Sequence, residues 1–192
     1  MTPVPVLTTE RLILRGWHDD DRAPFAAMNA DPAVMEHFPA TLTRAESDAL
    51  IDRITAGFAR HGFGLWAVET ARTGTFIGLT GLSVPAFDAH FLPGVEIGWR
   101  LATTAQGHGY ATEAARRALA FGFQDAGLNE IVSFTSTTNH RSQAVMRRIG
   151  MTHDPADDFD HPAVPDGHPV KRHVLYRIDA ATWAATAHQP AR

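Results

Sequence analysis

The segment that most constrains this chain is Glu96 to Thr112, EIGWRLATTAQGHGYAT, where an apolar strand pattern runs through two glycines directly into an Ala-rich helix. Glycine adopts positive φ without penalty and lets the backbone approach a ligand closely, so the passage reads as strand, tight turn, helix. The first N–H groups of a helix have no intrahelical acceptor, and the helix dipole is positive at that end. Gln106, Gly107, His108, Gly109, Tyr110, Ala111 and Thr112 therefore form a candidate anion cradle, with a diphosphate as its natural guest. A two-glycine turn with no ligand at all would look the same. A nucleotide-hydrolysing loop is disfavoured, because no G-x-x-x-x-G-K-S/T occurs and the only lysine, Lys171, is remote from the glycines.

The rest of the chain alternates strands and helices. Leu7 to Leu14 reads as one strand, with Asp19 to Asp21 opening a helix before Phe25 and Met28. Thr43 and Glu46 have the capping-box form ahead of the apolar stripe Leu50, Ile54, Phe58, and Gly62 ends that helix. The stripe reads as core. Phe63 to Glu69 and Thr75 to Val84 read as a hairpin around Thr73 and Gly74, with Trp66 facing the core. Val95 to Leu101 is the strand that feeds the cradle, and Ala111, Ala114, Ala115 and Ala118 let the next helix lie close to a sheet. Glu130 to Thr137 is a strand, Arg141 to Ile149 a helix with Val145, Met146 and Ile149 inward, and Lys171 to Ile178 a closing strand. A single domain over residues 1–192, with its core at about 8–178, suits this length.

Composition removes several classes. Without cysteine there is no disulfide, thiolate metal ligand or Cys-acyl intermediate, so acyl transfer needs another route. The formal charge of −4 argues against nucleic acid, and no basic-then-apolar leader or run of eighteen apolar residues is present, so a cytoplasmic protein with no membrane partner is expected. Charge is uneven: Arg100, Arg116, Arg117, Arg141, Arg147 and Arg148 lie near the cradle and the helix after Thr137, whereas Asp154, Asp157, Asp158, Asp160 and Asp166 crowd one loop. That loop is either an ordinary solvated surface or a lid that draws in a cationic substrate. The histidines and aspartates of residues 153–173 lack the fixed spacing of a metal site, so no metal is expected.

Two segments together carry a family resemblance. Gln106, Gly109 and Ala111 match Q/R-x-x-G-x-G/A, and Asn139, Ser142, Gly150 and Met151 match N-x-x-S/A followed by G-F/M, so the chain resembles the Gcn5-related N-acetyltransferases (GNAT). TERLILR at Thr9 to Arg15 and EIGW at Glu96 to Trp99 resemble the RimJ/RimL-like branch. The resemblance implies an α/β fold with a mixed, mostly antiparallel central sheet of about seven strands and helices on both faces. It implies acetyl-CoA as acyl donor, with the backbone at Trp99 and Leu101 pairing with the pantetheine and residues 106–112 holding the diphosphate. Asn139 and Ser142 would flank the cofactor, although either also suits a plain helix cap.

An amine would attack the thioester directly in a ternary complex. Many relatives place a tyrosine acid seven residues after the Asn, and here that position is Met146, so Ser142 or water must protonate the thiolate. Glu96, among Val95, Ile97 and Trp99, is the candidate base because desolvation raises a carboxylate pKa. An exposed strand glutamate paired to an arginine is the other reading. The acceptor would be a protein N-terminus or a small amine, α-amines being favoured because they deprotonate more easily. The alternative is a catalytically silent acyl-CoA-binding sensor or assembly module. An exposed strand edge or the loop Pro85 to Pro93 would support a homodimer.

Overall fold

The computed structural model describes residues 3–187, so both extremes of the expected 1–192 domain lie outside the described residues. The strand expected over Leu7 to Leu14 is in fact two, β1 (Leu7–Thr8) and β2 (Leu12–Arg15), paired antiparallel with Leu7 opposite Leu14. Thr9 makes the fold-back: its hydroxyl accepts from the Leu12 N–H at 3.0 Å and its own N–H donates to the Leu12 carbonyl at 2.9 Å. A threonine side chain offers the backbone this alternative to continuing a strand.

A short 3-10 turn at Asp19–Asp21 leads into α1 (Arg22–Ala30). Asp21 takes Arg15 through bonds of 2.7 and 2.9 Å and the His18 N–H at 2.8 Å, while Arg15 Nε reaches Glu69 at 2.6 Å. The Arg15 and Asp21 side chains are only 13% and 4% exposed. Burial alone would raise the Asp21 pKa, but Arg15 and the His18 N–H outweigh it and hold it below the usual carboxylate range. The pair's stabilisation is therefore present above the ordinary aspartate pKa and lost as pH falls through the depressed folded value. Asp21→Ala leaves Arg15 short of a partner and is expected to cost about 3 kcal/mol in a urea melt at pH 7, with the gap to the parent protein closing in acid.

Next, α2 (Arg44–His61) starts at the expected capping box, Thr43 accepting from Glu46 N–H and Glu46 accepting from Thr43 N–H at 2.8 Å, and stops at Gly62. Ile51, Ile54 and Phe58 are its buried apolar residues, whereas Leu50 sits at the stripe's edge and lines the central cleft. The hairpin forms as β3 (Leu65–Thr70) and β4 (Phe76–Ser83), with Trp66 fully buried and its indole N–H donating to the Pro5 carbonyl at 2.8 Å.

Then come β5 (Glu96–Leu101), α3 (Tyr110–Gln124), β6 (Glu130–Ser136) and α4 (His140–Arg148). Ala114, Ala115 and Ala118 are completely buried on α3, which packs on β4 and β5. The final stretch holds β7 (Thr152–His153), β8 (Phe159–Asp160), β9 (Arg172–Asp179) and α5 (Ala180–Ala187). The sheet runs β1-β2-β3-β4-β5-β6-β9-β7, with β8 also on β9, so it has nine strands where about seven were expected. Two of them, β7 and β8, are two-residue segments bordering or within the acidic stretch, too short to leave a periodic signal. Every pairing is antiparallel except β5 with β6.

Candidate active site

That one parallel pairing opens the site. β5 is paired with β4 along its length, from Gly78 opposite Leu101 to Ser83 opposite Glu96, but it meets β6 only where Glu96 lies opposite Val132. Two bonds close this inner end, from the Val132 N–H to the Val95 carbonyl and from the Ser133 hydroxyl to the Ile97 carbonyl, each 2.9 Å. Further along, β5 follows the twist of β4 while β6 follows β9, and the two strands part. The gap belongs to a cleft of about 1960 Å³ whose walls include Trp99 and Leu101 on one side and Phe134 and Thr135 on the other.

At one end of the cleft lies the turn before α3. Gly107 and Gly109 have φ of 81° and 80°, and Gly109 is the helix N-cap with no side chain to occupy the free N–H groups. Gly107, Gly109, Tyr110, Ala111 and Thr112 all line the cleft, whereas the exposed His108 does not. Gln106 braces the turn, donating to the Leu101 carbonyl at 3.1 Å and accepting from Arg141 at 3.1 Å. Arg11 braces it from the other side: it donates to the His108 carbonyl at 3.0 Å, lies 4.8 Å from the Tyr110 ring centre and pairs with Glu113. Glu113 also accepts from the Thr9 hydroxyl at 2.6 Å. An anion placed here meets backbone donors held on two sides.

The wall on the α4 side carries a hydrogen-bonded set. Asn139 caps α4 by accepting from the Ser142 N–H at 3.1 Å, and it also donates to the Thr135 hydroxyl at 2.9 Å and the Ser142 hydroxyl at 3.1 Å. The Trp99 indole N–H donates to the same Ser142 oxygen at 3.3 Å. With two donors on its oxygen, the Ser142 hydroxyl is left to donate its own hydrogen, and the residue lines the cleft. Met146, where relatives carry a tyrosine, is buried, and Tyr176 is turned away, bonded to Arg147 at 3.0 Å and stacked on His153.

On the opposite face of β5, strand alternation puts Glu96, Gly98 and Arg100 in a row. A Cβ on Gly98 would meet only the Glu96 carboxylate, 3.9 Å away, so the floor between Glu96 and Arg100 is open. The Ser83 hydroxyl donates to Glu96 at 3.4 Å, too weakly to offset burial, which pushes the carboxyl up to about 8. No cation of the described residues pairs with Glu96. Across the gap stand Phe134 and two imidazoles, His161 and His173, with ring centres 5.0 Å apart. Burial lowers both, His161 to about 4 with help from His173 and Lys171, so both are neutral at pH 7. The loop between α1 and α2 closes this side, His37 lying 3.4 Å from the Ser136 and Thr138 hydroxyls.

The sequence of residues 11–152 matches the family described as the acetyltransferase (GNAT) domain. The chain belongs to that family. This acetyltransferase is similar to the FsC-acetyl coenzyme A-N(2)-transacetylase of Aspergillus fumigatus, 31% identical over 156 residues, covering 78% of this chain and 66% of that protein. Its fold is similar to that of an acetyltransferase from Agrobacterium tumefaciens, 28% identical with a TM-score of 0.74, over 93% of this chain and 96% of the other. The fold likeness extends, at 14% identity and a TM-score of 0.73, over 93% of this chain and 99% of the RimL ribosomal L7/L12 alpha-N-protein acetyltransferase solved with coenzyme A.

Two charge patterns in the acetyltransferase refine the expectation. The aspartates of the acidic stretch are engaged by the protein itself: Asp157 with Arg177, Asp158 with His153, Asp160 with Arg172, Asp166 with Lys171, and Asp154 capping a 3-10 turn. Of the two readings of this stretch, these contacts favour the ordinary surface edge. Of the six arginines expected near the cofactor segments, all but Arg147 line the cleft; Arg147 points to Tyr176, and Arg100 lies on the opposite face of β5 from Trp99. Among the described residues no group of three or more His, Asp or Glu is placed to hold a metal, and no helix is long and apolar enough to cross a membrane. Arg11, Glu113, Phe134 and the two imidazoles were not legible as site residues, since only long-range pairing brings them to the cleft.

Proposed function

We propose that the chain transfers the acetyl group of acetyl-CoA to a primary amine by direct attack in a ternary complex, as an acetyltransferase of RimJ/RimL-like type. The observation that carries this reading is the parting of β5 from β6, with an anion cradle at one end and an uncompensated carboxylate at the other. Acetyl-CoA supplies an activated thioester carbonyl. The residues present fit it: the N–H groups of Gly107 to Thr112 take the diphosphate, Arg141 and Gln106 hold that turn, and the free β5 edge at Trp99 and Leu101 takes the pantetheine amides. Asn139 keeps Ser142 and Thr135 in place along the same wall. TERLILR, EIGW and the fold likeness to RimL support the branch.

Glu96 is the base. In its ionised form it takes a proton from the acceptor ammonium over Gly98, and the freed lone pair attacks the carbonyl carbon. The C–S bond then breaks, the nitrogen of the adduct gives up its second proton to leave the neutral amide, and that proton passes by way of Ser142 or water to the thiolate, which is a fair leaving group since the thiol pKa is about 8.5. Activity therefore rises as pH passes through about 8, where Glu96 loses its proton. Gly98→Ala puts a methyl group into the space between base and amine, in ordinary van der Waals contact with the Glu96 carboxylate. It is expected to lower kcat roughly tenfold or more through misplacement, with the CoA Kd unchanged by calorimetry.

The deciding experiment is thiol release from acetyl-CoA with a panel of amines, beside calorimetry with CoA. Turnover with any primary amine supports the enzyme. CoA binding without turnover would instead favour a silent acyl-CoA sensor, and no CoA binding would end both readings.

A further inference from the structure

Among the ionic groups that the transfer chemistry leaves unused, one shares the face of the base. Arg100 lines the cleft two residues beyond Gly98 on the face that holds Glu96. Its Nη1 donates to the Asn29 side-chain carbonyl at 2.6 Å, and its guanidinium sits 4.2 Å from the Phe38 ring centre. Its Nε is buried without an acceptor, and no carboxylate of the described residues pairs with it. Burial pulls its pKa down to about 10. A cation taken out of water without a counter-ion is costly, and the planar fork of arginine is shaped to take a carboxylate.

The remaining walls carry little charge. Phe134, Val164 and Val170 stand with the neutral His161 and His173 beyond Gly98 and Glu96, and the aspartates of the neighbouring stretch are committed to Arg177, His153, Arg172 and Lys171. Among Phe134, the two valines and the imidazoles a polycationic amine meets no acidic side chain but the base itself, while Glu36, two-thirds exposed on the loop between α1 and α2, also lines the cleft. An acceptor with one carboxylate and one apolar group satisfies what the site leaves open.

We propose that the acceptor is a free α-amino acid with an apolar side chain: Arg100 takes its carboxylate, Phe134, His161 and Val164 face its side chain, and its amine lies over Gly98 beside Glu96. This rests on the acetyl-transfer reading above and names its substrate class. The chemistry is the same step: the amine N–C bond forms, the C–S bond breaks, one ammonium proton goes to Glu96 and the second proton leaving the nitrogen passes by way of Ser142 or water to the thiolate. Arg100 acts as a specificity residue by contact with a spectator group of the acceptor.

The test is the ratio of kcat/KM for L-leucine and L-phenylalanine to that for their carboxamides, with phenethylamine, spermidine and a short peptide alongside, each followed by thiol release from acetyl-CoA. The intact enzyme is expected to favour the acids at least tenfold over the amides, and Arg100→Gln to bring that ratio to about one, with Arg100→Lys between them. A purely structural Arg100 would depress acid and amide alike and leave the ratio standing, which overturns the proposal. So does a preference of the intact enzyme for amide, peptide or spermidine, an outcome that leaves acetyl transfer itself established. Silence with every amine overturns the transfer reading, and this proposal with it.

Discussion

Replacing Glu96 with Gln is expected to lower kcat/KM roughly 100-fold to 10,000-fold, the range for loss of a positioned general base. The affinity for CoA should not change, because the carboxylate lies on the opposite side of β5 from Trp99 and the α4 wall. The pH profile separates this from simple misfolding. With its carboxyl pushed up to about 8 by burial, the parent enzyme gains activity as pH rises through that value, and the Gln variant loses that limb. An α-amine acceptor titrates near pH 8 as well, so acceptors of different amine pKa are needed: the Glu96 limb stays fixed while the acceptor's own limb moves.

Stability gives an independent reading of the same group. The folded pKa of Glu96 is raised above its unfolded value of about 4.3, so its contribution is intact below that value and is lost as pH rises through about 8. The Gln variant should therefore melt progressively higher than the parent between those two pH values. If the parent shows neither the kinetic limb nor this divergence, Glu96 is an ordinary strand carboxylate.

Gly109→Val is expected to weaken CoA binding by at least about tenfold. Gly109 sits at φ 80°, where a β-branched residue costs about 1–2 kcal/mol, and the branched side chain adds bulk beside Arg11, whose Nη2 would be 3.5 Å from the new Cβ, an ordinary contact. Both effects act on the same point, the first N–H groups of α3, so the anion cradle opens or tilts. The loss should appear in the CoA Kd and the acetyl-CoA KM, while kcat at saturating acetyl-CoA stays within a few-fold of the parent value. An unaltered CoA Kd would show that the diphosphate is held elsewhere.

The elements most legible in the sequence are those whose causes are local. The capping box at Thr43 and Glu46, the stop at Gly62, the hairpin turn at Gly74 and the alanine face of α3 each depend on residues within a few positions of one another, and each appears where the spacing places it. Leu7 to Leu14 misled because its apolar content was clear while the fold-back at Thr9 rests on one hydroxyl. The acidic stretch was open to two readings for a different reason. Counting aspartates gives a sum of charge, but Arg172 and Arg177 on β9 offset part of it and His153 on β7 hydrogen-bonds Asp158, and only the pairing of those strands brings them alongside.

By itself, then, the sequence determined the strand, glycine turn and helix of the candidate anion cradle, the absence of a thiol route and the candidacy of Glu96, because backbone conformation and residue chemistry are properties of short segments. Tertiary structure alone decided that β5 and β6 part beyond Glu96, that Glu96 is desolvated without a cation and that Arg100 turns away from the cradle. Cleft, desolvation and facing all depend on which distant strands pair and in what register, and a register is set by the whole sheet.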